Sequence, residues 1–447
     1  MAGKDEKHSQ TEEELAPNYR WYVLLILGLT YASSYMDRQI LSILLEDLKL
    51  EFSLSDTQLG LLSGIAFAVF YASLGIPIAR LADRFNRVNI IVSAVSVWSV
   101  MTVLCGAVSN FTQLFLARVG VGVGEAGGTP PAHSMISDYF TSEERSFAIS
   151  IYSMGTAFGS LLGLILGGYI AELFGWRMAF IAAGLPGLII AIIVKLSVKE
   201  PCRGAMDGPN DLQGIEQSSA SVVVLIKRFW SNPIYRSVAI AHVLAVFVAY
   251  AISSWLPTLY LRQYELGQGV VGTIVGLLNL IGGVSGLLCG GYLAGRLAKK
   301  NRAWLAFLPF LSLLLAFPMI LVALWLQDIV LASVFFGLSF FFYQASHGPG
   351  LAIIQLVASS KNRAQAAAFV FFLTNLFGLG LGPLLVGFLS DLGFLRFGEN
   401  SLPLSMGLVS TTLLFASFYY WRTALLLRKY NSQDDSFDSG KNSSMLK

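Results

Sequence analysis

Long apolar runs separated by short polar breaks cover almost the whole chain. An apolar run of about 20 residues is long enough to cross the hydrocarbon core of a membrane, and within lipid only a helix satisfies its own backbone amides. The pattern predicts twelve such helices, at 21–45, 57–80, 87–107, 112–137, 147–170, 177–198, 235–261, 270–295, 303–326, 329–355, 364–390 and 402–427. We therefore predict an all-α membrane protein.

The longest polar break divides the predicted helices into two groups of six. It runs from Lys199 to Pro233 and has the proline, glycine and serine content of a linker. Within it, Val222 to Trp230 mixes apolar and basic residues, which fits either a short surface helix or the start of the seventh span. The domains we predict are cytoplasmic tails, two six-helix bundles and a cytoplasmic linker, at 1–20, 21–198, 199–234, 235–428 and 429–447.

Composition and charge support a membrane-embedded chain and predict its orientation. Of the 447 residues 55% are hydrophobic and 13% are charged, whereas soluble domains average about 25% charged residues. Of the 30 Lys and Arg residues, most fall in tails and loops that are cytoplasmic if both termini are cytoplasmic. The net charge of +3 and the lack of a long basic run exclude a nucleic-acid partner. The short loops favour a bacterial inner membrane.

Two basic loops occupy the same place in the two groups of helices. Arg80-Leu81-Ala82-Asp83-Arg84-Phe85-Asn86-Arg87 follows the second predicted span, and Tyr292-Leu293-Ala294-Gly295-Arg296 follows the eighth. The two loops share the pattern Leu-Ala-x-Arg. Matching halves of this kind are typical of the parallel repeats of transporters. We therefore expect two pseudo-symmetric six-helix bundles.

The first of these loops resembles the signature between helices two and three of the major facilitator superfamily. It differs in having Ala79 and Asn86 where that family usually has glycine, and the second copy has Gly295 in place of the acid. The resemblance implies the twelve-helix fold of that superfamily. It also implies a conformational latch formed by Asp83, Arg84 and Arg87 against the inner end of span eleven, near 361–363. The alternative is that these residues only anchor the topology.

A narrower resemblance is to the spinster family of lysolipid and sphingolipid transporters, in its bacterial form. It is carried mainly by the first half of the chain, in Tyr35-Met36-Asp37-Arg38, Asp83-Arg84-Phe85-Asn86-Arg87 and Val121-Gly122-Val123-Gly124-Glu125-Ala126. The chain departs from the animal members after Ala126, where it reads Gly127-Gly128-Thr129-Pro130-Pro131. The resemblance implies an amphipathic anionic lipid as the substrate.

Four charged residues lie inside predicted spans, Asp37 and Arg38 in the first and Arg118 and Glu125 in the fourth. Ionisable residues inside a membrane are functional candidates by default, although static ion pairs between helices are the alternative. With a rise of about 1.5 Å per residue, Asp37 and Arg118 lie level within one turn. Arg118 and Glu125 share one face of the fourth span. We therefore expect the charges of span one to face those of span four.

This charge set suggests how protons and substrate are coupled. An arginine keeps a neighbouring acid ionised, whereas burial favours the protonated acid. If the arginine side chain leaves the acid and binds an anionic substrate instead, the acid can therefore take up a proton. We expect Asp37 to carry the proton, with Glu125 second, and Arg38 and Arg118 to bind the anionic group or gate the acids. The resemblance to proton-driven transporters implies the same roles.

Two further candidates lie in the tenth span, where Gly348-Pro349-Gly350 interrupts helical hydrogen bonding. Broken helices often form binding or hinge elements in transporters. His347 directly precedes this segment and titrates near neutral pH, while Tyr343 lies one turn earlier. We expect both to take part in substrate binding or gating, although a histidine hydrogen-bonded to a neighbouring helix fits the sequence equally well.

The function that the sequence predicts is proton-coupled secondary active transport by alternating access. The leading substrate is an amphipathic anionic lipid, and the alternative is a polar organic anion such as a sugar acid. The spans contain no constellation of nucleophile or acid–base residues typical of an enzyme, and no Walker loop for ATP. We predict no catalytic residues, no metal site and no cofactor. The expected partners are a small lipid-like molecule, protons and the bilayer, with the chain acting as a monomer.

Overall fold

The computed structural model describes residues 17–206, 222–358 and 362–444, and every regular element among them is helical. The first eight helices have the following bounds: α1 Pro17–Phe52, α2 Asp56–Ser63, α3 Ile65–Ala82, α4 Arg87–Cys105, α5 Phe111–Glu125, α6 Thr129–Tyr139, α7 Ser142–Phe174 and α8 Trp176–Ser197. The predicted N-terminal tail lies mostly outside the described residues, as does the central part of the predicted linker, 207–221.

The remaining helices follow the linker. Their bounds are α9 Val222–Ser231, α10 Pro233–Tyr264, α11 Gln268–Ala298, α12 Trp304–Trp325, α13 Ile329–Val357, α14 Arg363–Leu373, α15 Gly382–Phe397, α16 Ser401–Ser410 and α17 Thr412–Ser444. A π-helical segment at Thr374–Leu381 connects α14 to α15, and a 3-10 turn at Gly398–Asn400 connects α15 to α16. The segment of the linker that mixes apolar and basic residues forms a helix of its own, α9. The next helix, α10, begins after it at Pro233.

Nine stretches of the described residues are long and apolar enough to cross a membrane. One of them, Gln365–Lys429, contains both the eleventh and the twelfth predicted spans. The predicted first span corresponds to α1, and the predicted fourth span corresponds to α5 together with α6. The first carries charged residues in its C-terminal half, and the fourth is divided into helices of 15 and 11 residues, each too short to cross a membrane by itself. The helices are therefore consistent with twelve crossings.

Four predicted spans are interrupted: the fourth, the second, the eleventh, where the π-helical segment separates α14 from α15, and the twelfth, at Thr411 between α16 and α17. The fourth, predicted as one helix, is interrupted at 126–128, directly after Glu125. Pro130 and Pro131 lie in the first turn of α6, where a missing backbone N–H costs nothing. The second predicted span is broken at Gly64, between α2 and α3. The first of these breaks is important for the site, because it ends the helix that carries Arg118 and Glu125.

The chain forms two compact units, Met1–Glu216 with Ser254–Gly276 and Gln217–Ser253 with Leu277–Lys447. The segment Ser254–Gly276 joins the first unit through charged contacts. Arg262 in this segment donates to Asp56 at 2.9 Å and to Glu46 at 2.8 Å. These contacts connect the end of α10 to the end of α1 and the start of α2.

Close packing of α7 on α1 fixes the helix that carries the first two candidate charges. A methyl group added at Gly159 would overlap the backbone carbonyl of Ala32, and one at Gly163 would lie 2.7 Å from the carbonyl oxygen of Met36. The glycines of α7 therefore allow two helix backbones to approach directly, as small residues do in membrane proteins. Because Met36 precedes Asp37, this contact holds the rotation of α1 at the site.

Candidate functional site

The first unit contains a cluster of buried charges, and an ion pair between α1 and α5 lies at its centre. Arg38 donates from Nε to Oε2 of Glu125 at 2.6 Å, and its Nη2 lies 2.6 Å from the same oxygen. The side chain of Glu125 is 1% exposed and that of Arg38 is 11% exposed. The charges of the first and fourth predicted spans therefore face each other, as the sequence predicts.

Aromatic rings surround the guanidinium of Arg38. Its Cζ lies 4.6 Å from the ring centroids of Phe67 and Tyr71 on α3, and 4.8 Å from that of Tyr35 on α1. Ring faces attract a cation, and the attraction is stronger away from water. Arg38 is therefore held both by one carboxylate and by three rings, so weakening the ion pair would not leave the cation without partners.

Asp37 is fully buried beside this ion pair, and only one of its two carboxylate oxygens has a hydrogen-bond partner. Its Oδ2 accepts a hydrogen bond from the hydroxyl of Thr102 on α4 at 3.0 Å. Its Oδ1 is buried and has no hydrogen-bond partner. A carboxyl group arranged in this way can bind a proton on the free oxygen and keep its bond to Thr102.

Arg118 is the least satisfied charge of the cluster. It is 2% exposed, and its Nε and Nη1 have no hydrogen-bond partner. On the same helix, Oε1 of Glu125 is also buried and unpartnered. Glycines bring α5 close to its neighbours here, since a methyl group at Gly122 would lie 2.6 Å from the backbone oxygen of Phe67. The spaces around these donors and acceptors are therefore narrow and defined by backbone.

The other two substrate-binding candidates lie in the second unit. Tyr343 and His347 are on α13, and both are partly exposed. Nδ1 of His347 is buried without a partner, and its ring lies 4.8 Å, centroid to centroid, from that of His242 on α10. The structure thus groups His347 with a second histidine that the sequence argument did not select. Their roles in binding or gating stay predictions.

The predicted latch loop has one buried residue and two exposed residues. Arg87 is 1% exposed, forms an ion pair with Asp138 at the end of α6, and donates to Glu200 at 2.6 Å. Asp83 and Arg84 are exposed. Arg203 donates to the backbone oxygens of Ala82 and Phe85, each at 2.8 Å. It also donates to the backbone oxygen of Asp83. The start of the linker is therefore bound to this loop.

These contacts make Arg87 a structural anchor within the first unit. Its predicted partner region includes Lys361, which lies outside the described residues, so the latch stays a prediction for Asp83, Arg84 and Arg87. The acids that pair with Arg87 were not selected from the sequence. A signal for one of them was present, since Glu200 is an isolated acid beside the basic residues at the end of the sixth span.

We expect Arg87→Ala to destabilise the protein, because it leaves the carboxylates of Asp138 and Glu200 without their cation. Removing one partner of a buried ion pair costs about 3 kcal/mol or more. Unfolding of the purified protein in detergent, followed by tryptophan fluorescence, measures the effect. Arg84→Ala is the matched control, because Arg84 is exposed in the same loop. Equal loss of stability in both variants would contradict the anchoring role.

The sequence profile of the Major Facilitator Superfamily matches residues 27–383. The chain therefore belongs to this superfamily: it is a multi-pass integral membrane transporter and not an enzyme. Among its relatives is an efflux pump of the same superfamily from Mycolicibacterium smegmatis, which is 30% identical over 92% of this chain and 94% of the relative. Spinster homolog 1 of Xenopus tropicalis is 28% identical over 95% of this chain and 84% of the relative.

Solved structures agree with the resemblance to spinster proteins. A bacterial homolog of the human lysosomal transporter Spinster, in an inward-facing and unoccupied conformation, superposes with a TM-score of 0.83 and 29% identity. The match covers 93% of this chain and 98% of the other. A probable galactarate/D-glucarate transporter of Bacillus subtilis is also related, with 27% identity over 72% of this chain and 76% of the relative. Among these relatives, one is thus named for sugar-acid substrates.

Proposed function

We propose that this protein is a proton-coupled secondary active transporter that moves an amphipathic anionic lipid, such as a lysophospholipid, by alternating access. The observation that carries the proposal is the set of unpartnered polar atoms on buried charges. Arg118 has two free donors, and Asp37 and Glu125 each have one free carboxylate oxygen. Buried polar groups in native proteins are nearly always hydrogen-bonded, so a cluster of such exceptions in one place favours groups that bind something else.

The free donors and acceptors differ in the chemistry that they can bind. A guanidinium presents its N–H groups in a planar fork that matches the oxygens of a phosphate or carboxylate. Arg118 is therefore suited to the anionic group of a substrate. The free oxygens of Asp37 and Glu125 are suited to protons. One site can thus take up both ligands that a coupled transporter moves.

The Arg38–Glu125 ion pair provides the link between the two events. A proton on Oε1 would neutralise Glu125 and weaken its attraction for the guanidinium, which contacts the other oxygen, Oε2. Arg38 would then be free to join Arg118 at a substrate anion, while its aromatic neighbours still solvate the cation. In the reverse direction, departure of the anion would restore the ion pair and release the proton.

The alternative substrate is a polar organic anion such as a sugar acid. The fork of Arg118 takes a carboxylate as well as a phosphate, and the family relationship includes a probable sugar-acid transporter. The lipid is favoured by the aromatic character of the neighbourhood of Arg38, where Tyr31 also stacks on Tyr152 with ring centroids 4.5 Å apart. Such rings offer apolar contact beside the charged group. The expected location is a bacterial inner membrane with both termini cytoplasmic.

Substrate-driven proton movement tests this function. Purified protein is reconstituted into liposomes that contain a pH-sensitive dye, and lysophosphatidylglycerol or glucarate is added under an imposed proton gradient. We expect the lysolipid to drive proton movement and glucarate to give the signal of protein-free liposomes. Proton movement with glucarate alone would support the alternative substrate. Equilibration of labelled lysolipid without proton movement would overturn the coupled mechanism.

A further inference from the structure

A second cluster of buried polar groups lies in the second unit, separate from the charges described above. His242 on α10 is 2% exposed, and its Nδ1 lies 3.4 Å from the hydroxyl of Tyr420 on α17. Its ring centroid lies 4.8 Å from that of His347 on α13, and the planes are tilted by 41°. Three helices therefore contribute one polar ring each to the same small volume.

Both histidine rings have a nitrogen without a hydrogen-bond partner. The two atoms are Nε2 of His242 and Nδ1 of His347, and both are buried. A buried polar atom without a partner costs about 1–3 kcal/mol, yet here two such atoms lie on neighbouring rings. The arrangement is therefore unfavourable for two neutral rings as they stand, and one bound species between them would satisfy both atoms.

A glycine on α13, Gly350, makes room for the contact between Tyr420 and His242. A methyl group at position 350 would overlap the hydroxyl of Tyr420 and would lie 3.2 Å from Nδ1 of His242. Gly350 thus permits the approach of Tyr420 to His242. It belongs to the Gly348-Pro349-Gly350 segment, which was expected to break the tenth span but lies within the continuous helix α13.

We propose that His242 and His347 form a proton-binding site of the second unit, with one proton shared by the pair and Tyr420 as the positioning residue. Without the added proton, His242 carries its single ring hydrogen on Nδ1, so Nε2 of His242 and Nδ1 of His347 are both acceptors and cannot bond to each other. With the proton bound at Nε2, His242 has a hydrogen on each ring nitrogen. It donates from Nδ1 to the oxygen of Tyr420 and, after a small ring rotation, from Nε2 to Nδ1 of His347. One added proton thereby fills both vacant positions, and no covalent bond other than N–H forms or breaks.

The surroundings of the pair favour a proton over other cations. Among the described residues, no group of three His, Cys, Asp or Glu side chains could hold a metal ion. Among the described residues, each histidine faces the other histidine. The other ionisable groups nearby are Tyr420 on α17 and, next to it, Tyr343 on α13. His347 is partly exposed whereas His242 is buried. His347 is therefore the more accessible ring of the pair.

The titration of the histidines tests the proposal directly. The chain has only four histidines, so the full-length protein labelled with carbon-13 at the histidine ε1 position gives few signals in lipid nanodiscs. Single His→Gln variants assign them. We expect the signals of His242 and His347 to titrate together with the uptake of one proton, because strongly coupled groups titrate as a pair. Tyr420→Phe should move both midpoints, and the control His133→Gln should move neither.

Three results would overturn the shared site. One is titration of each ring with a midpoint that does not change when the other histidine is replaced. Another is the absence of any titration of both rings between about pH 5 and 8, the range in which histidine normally changes charge. The third is unchanged midpoints in Tyr420→Phe. If His242→Gln does not fold, the variants His347→Gln and Tyr420→Phe still test whether the two rings share a proton. Failure here leaves transport by the first unit's charges intact, because the measurement involves no substrate.

Discussion

Replacing Asp37 by Asn is expected to reduce substrate-driven proton movement in liposomes to the level of protein-free vesicles. The amide has nearly the shape of the carboxyl group, and its oxygen can still accept the hydrogen bond from Thr102 that Oδ2 now accepts at 3.0 Å. It has no oxygen that binds a proton at neutral pH. The variant therefore removes the proposed proton carrier and leaves the packing of α1 on α4 in place.

The control for this prediction is Asp328→Asn. Asp328 caps α13 by accepting a hydrogen bond from the backbone N–H of Leu331 at 2.9 Å, and asparagine is an equally good cap. This variant should therefore retain full proton movement. If Asp37→Asn also retains it, Asp37 is not the carrier and the same measurement on Glu125→Gln becomes decisive. Loss in both variants would point to general damage.

Replacing Arg118 by Lys is expected to raise the dissociation constant for lysophosphatidylglycerol about 10- to 100-fold. A hydrogen bond to a charged group contributes about 1.5–3 kcal/mol, and tenfold in affinity corresponds to about 1.4 kcal/mol. Lysine keeps the positive charge but has neither the Nε nor the Nη1 donor that is free in Arg118. The variant thus separates a bidentate contact from simple charge attraction.

Titration calorimetry of the purified protein measures this affinity. Arg177→Lys is a suitable control, because Arg177 is a partly exposed arginine outside the charge cluster and donates to the backbone oxygen of Val108 at 2.6 Å. Its replacement should leave the dissociation constant unchanged. An Arg118→Lys variant that binds as tightly as this control would show that Arg118 does not contact the anionic group. Affinity for glucarate in parallel reports on the alternative substrate.

Part of the candidate site could be predicted from the sequence because its charges are rare in an apolar background. Asp37, Arg38, Arg118 and Glu125 are recognisable by residue type alone. Arg118 and Glu125 are spaced to share one helix face, and the charges of the two spans lie at a similar depth. These two facts predict that the charged faces of α1 and α5 meet. The contact between Arg38 and Glu125 follows from those few constraints.

The partners of these charges were much harder to predict. Thr102 is a hydroxyl residue in an apolar span, and Phe67 and Tyr71 are rings among many others. Which of them meets Arg38 or Asp37 depends on the rotation of each helix, and no periodic pattern records that rotation. His242 was missed for a similar reason, since its importance comes only from the neighbouring ring of His347.

The positions at which helices are interrupted were also poorly predicted from the sequence. The prediction of one continuous helix at 112–137 is wrong, because Gly127-Gly128-Thr129-Pro130-Pro131 interrupts helical hydrogen bonding even within an apolar segment. In the eleventh span, a π-helical segment at Thr374–Leu381 lies beside Gly378, Gly380, Gly382 and Pro383.

The buried cluster of the first unit has an electrical consequence. With both acids ionised, the charges of Asp37, Arg38, Arg118 and Glu125 cancel. One added proton makes the set positive by one, and a bound monoanion returns it to zero. Moving one elementary charge across the membrane changes the free energy by about 2.3 kcal/mol per 100 mV of membrane potential. A carrier loaded with one proton and a monoanionic lysolipid is therefore indifferent to the membrane potential, whereas one loaded with a dianionic sugar acid is driven by it.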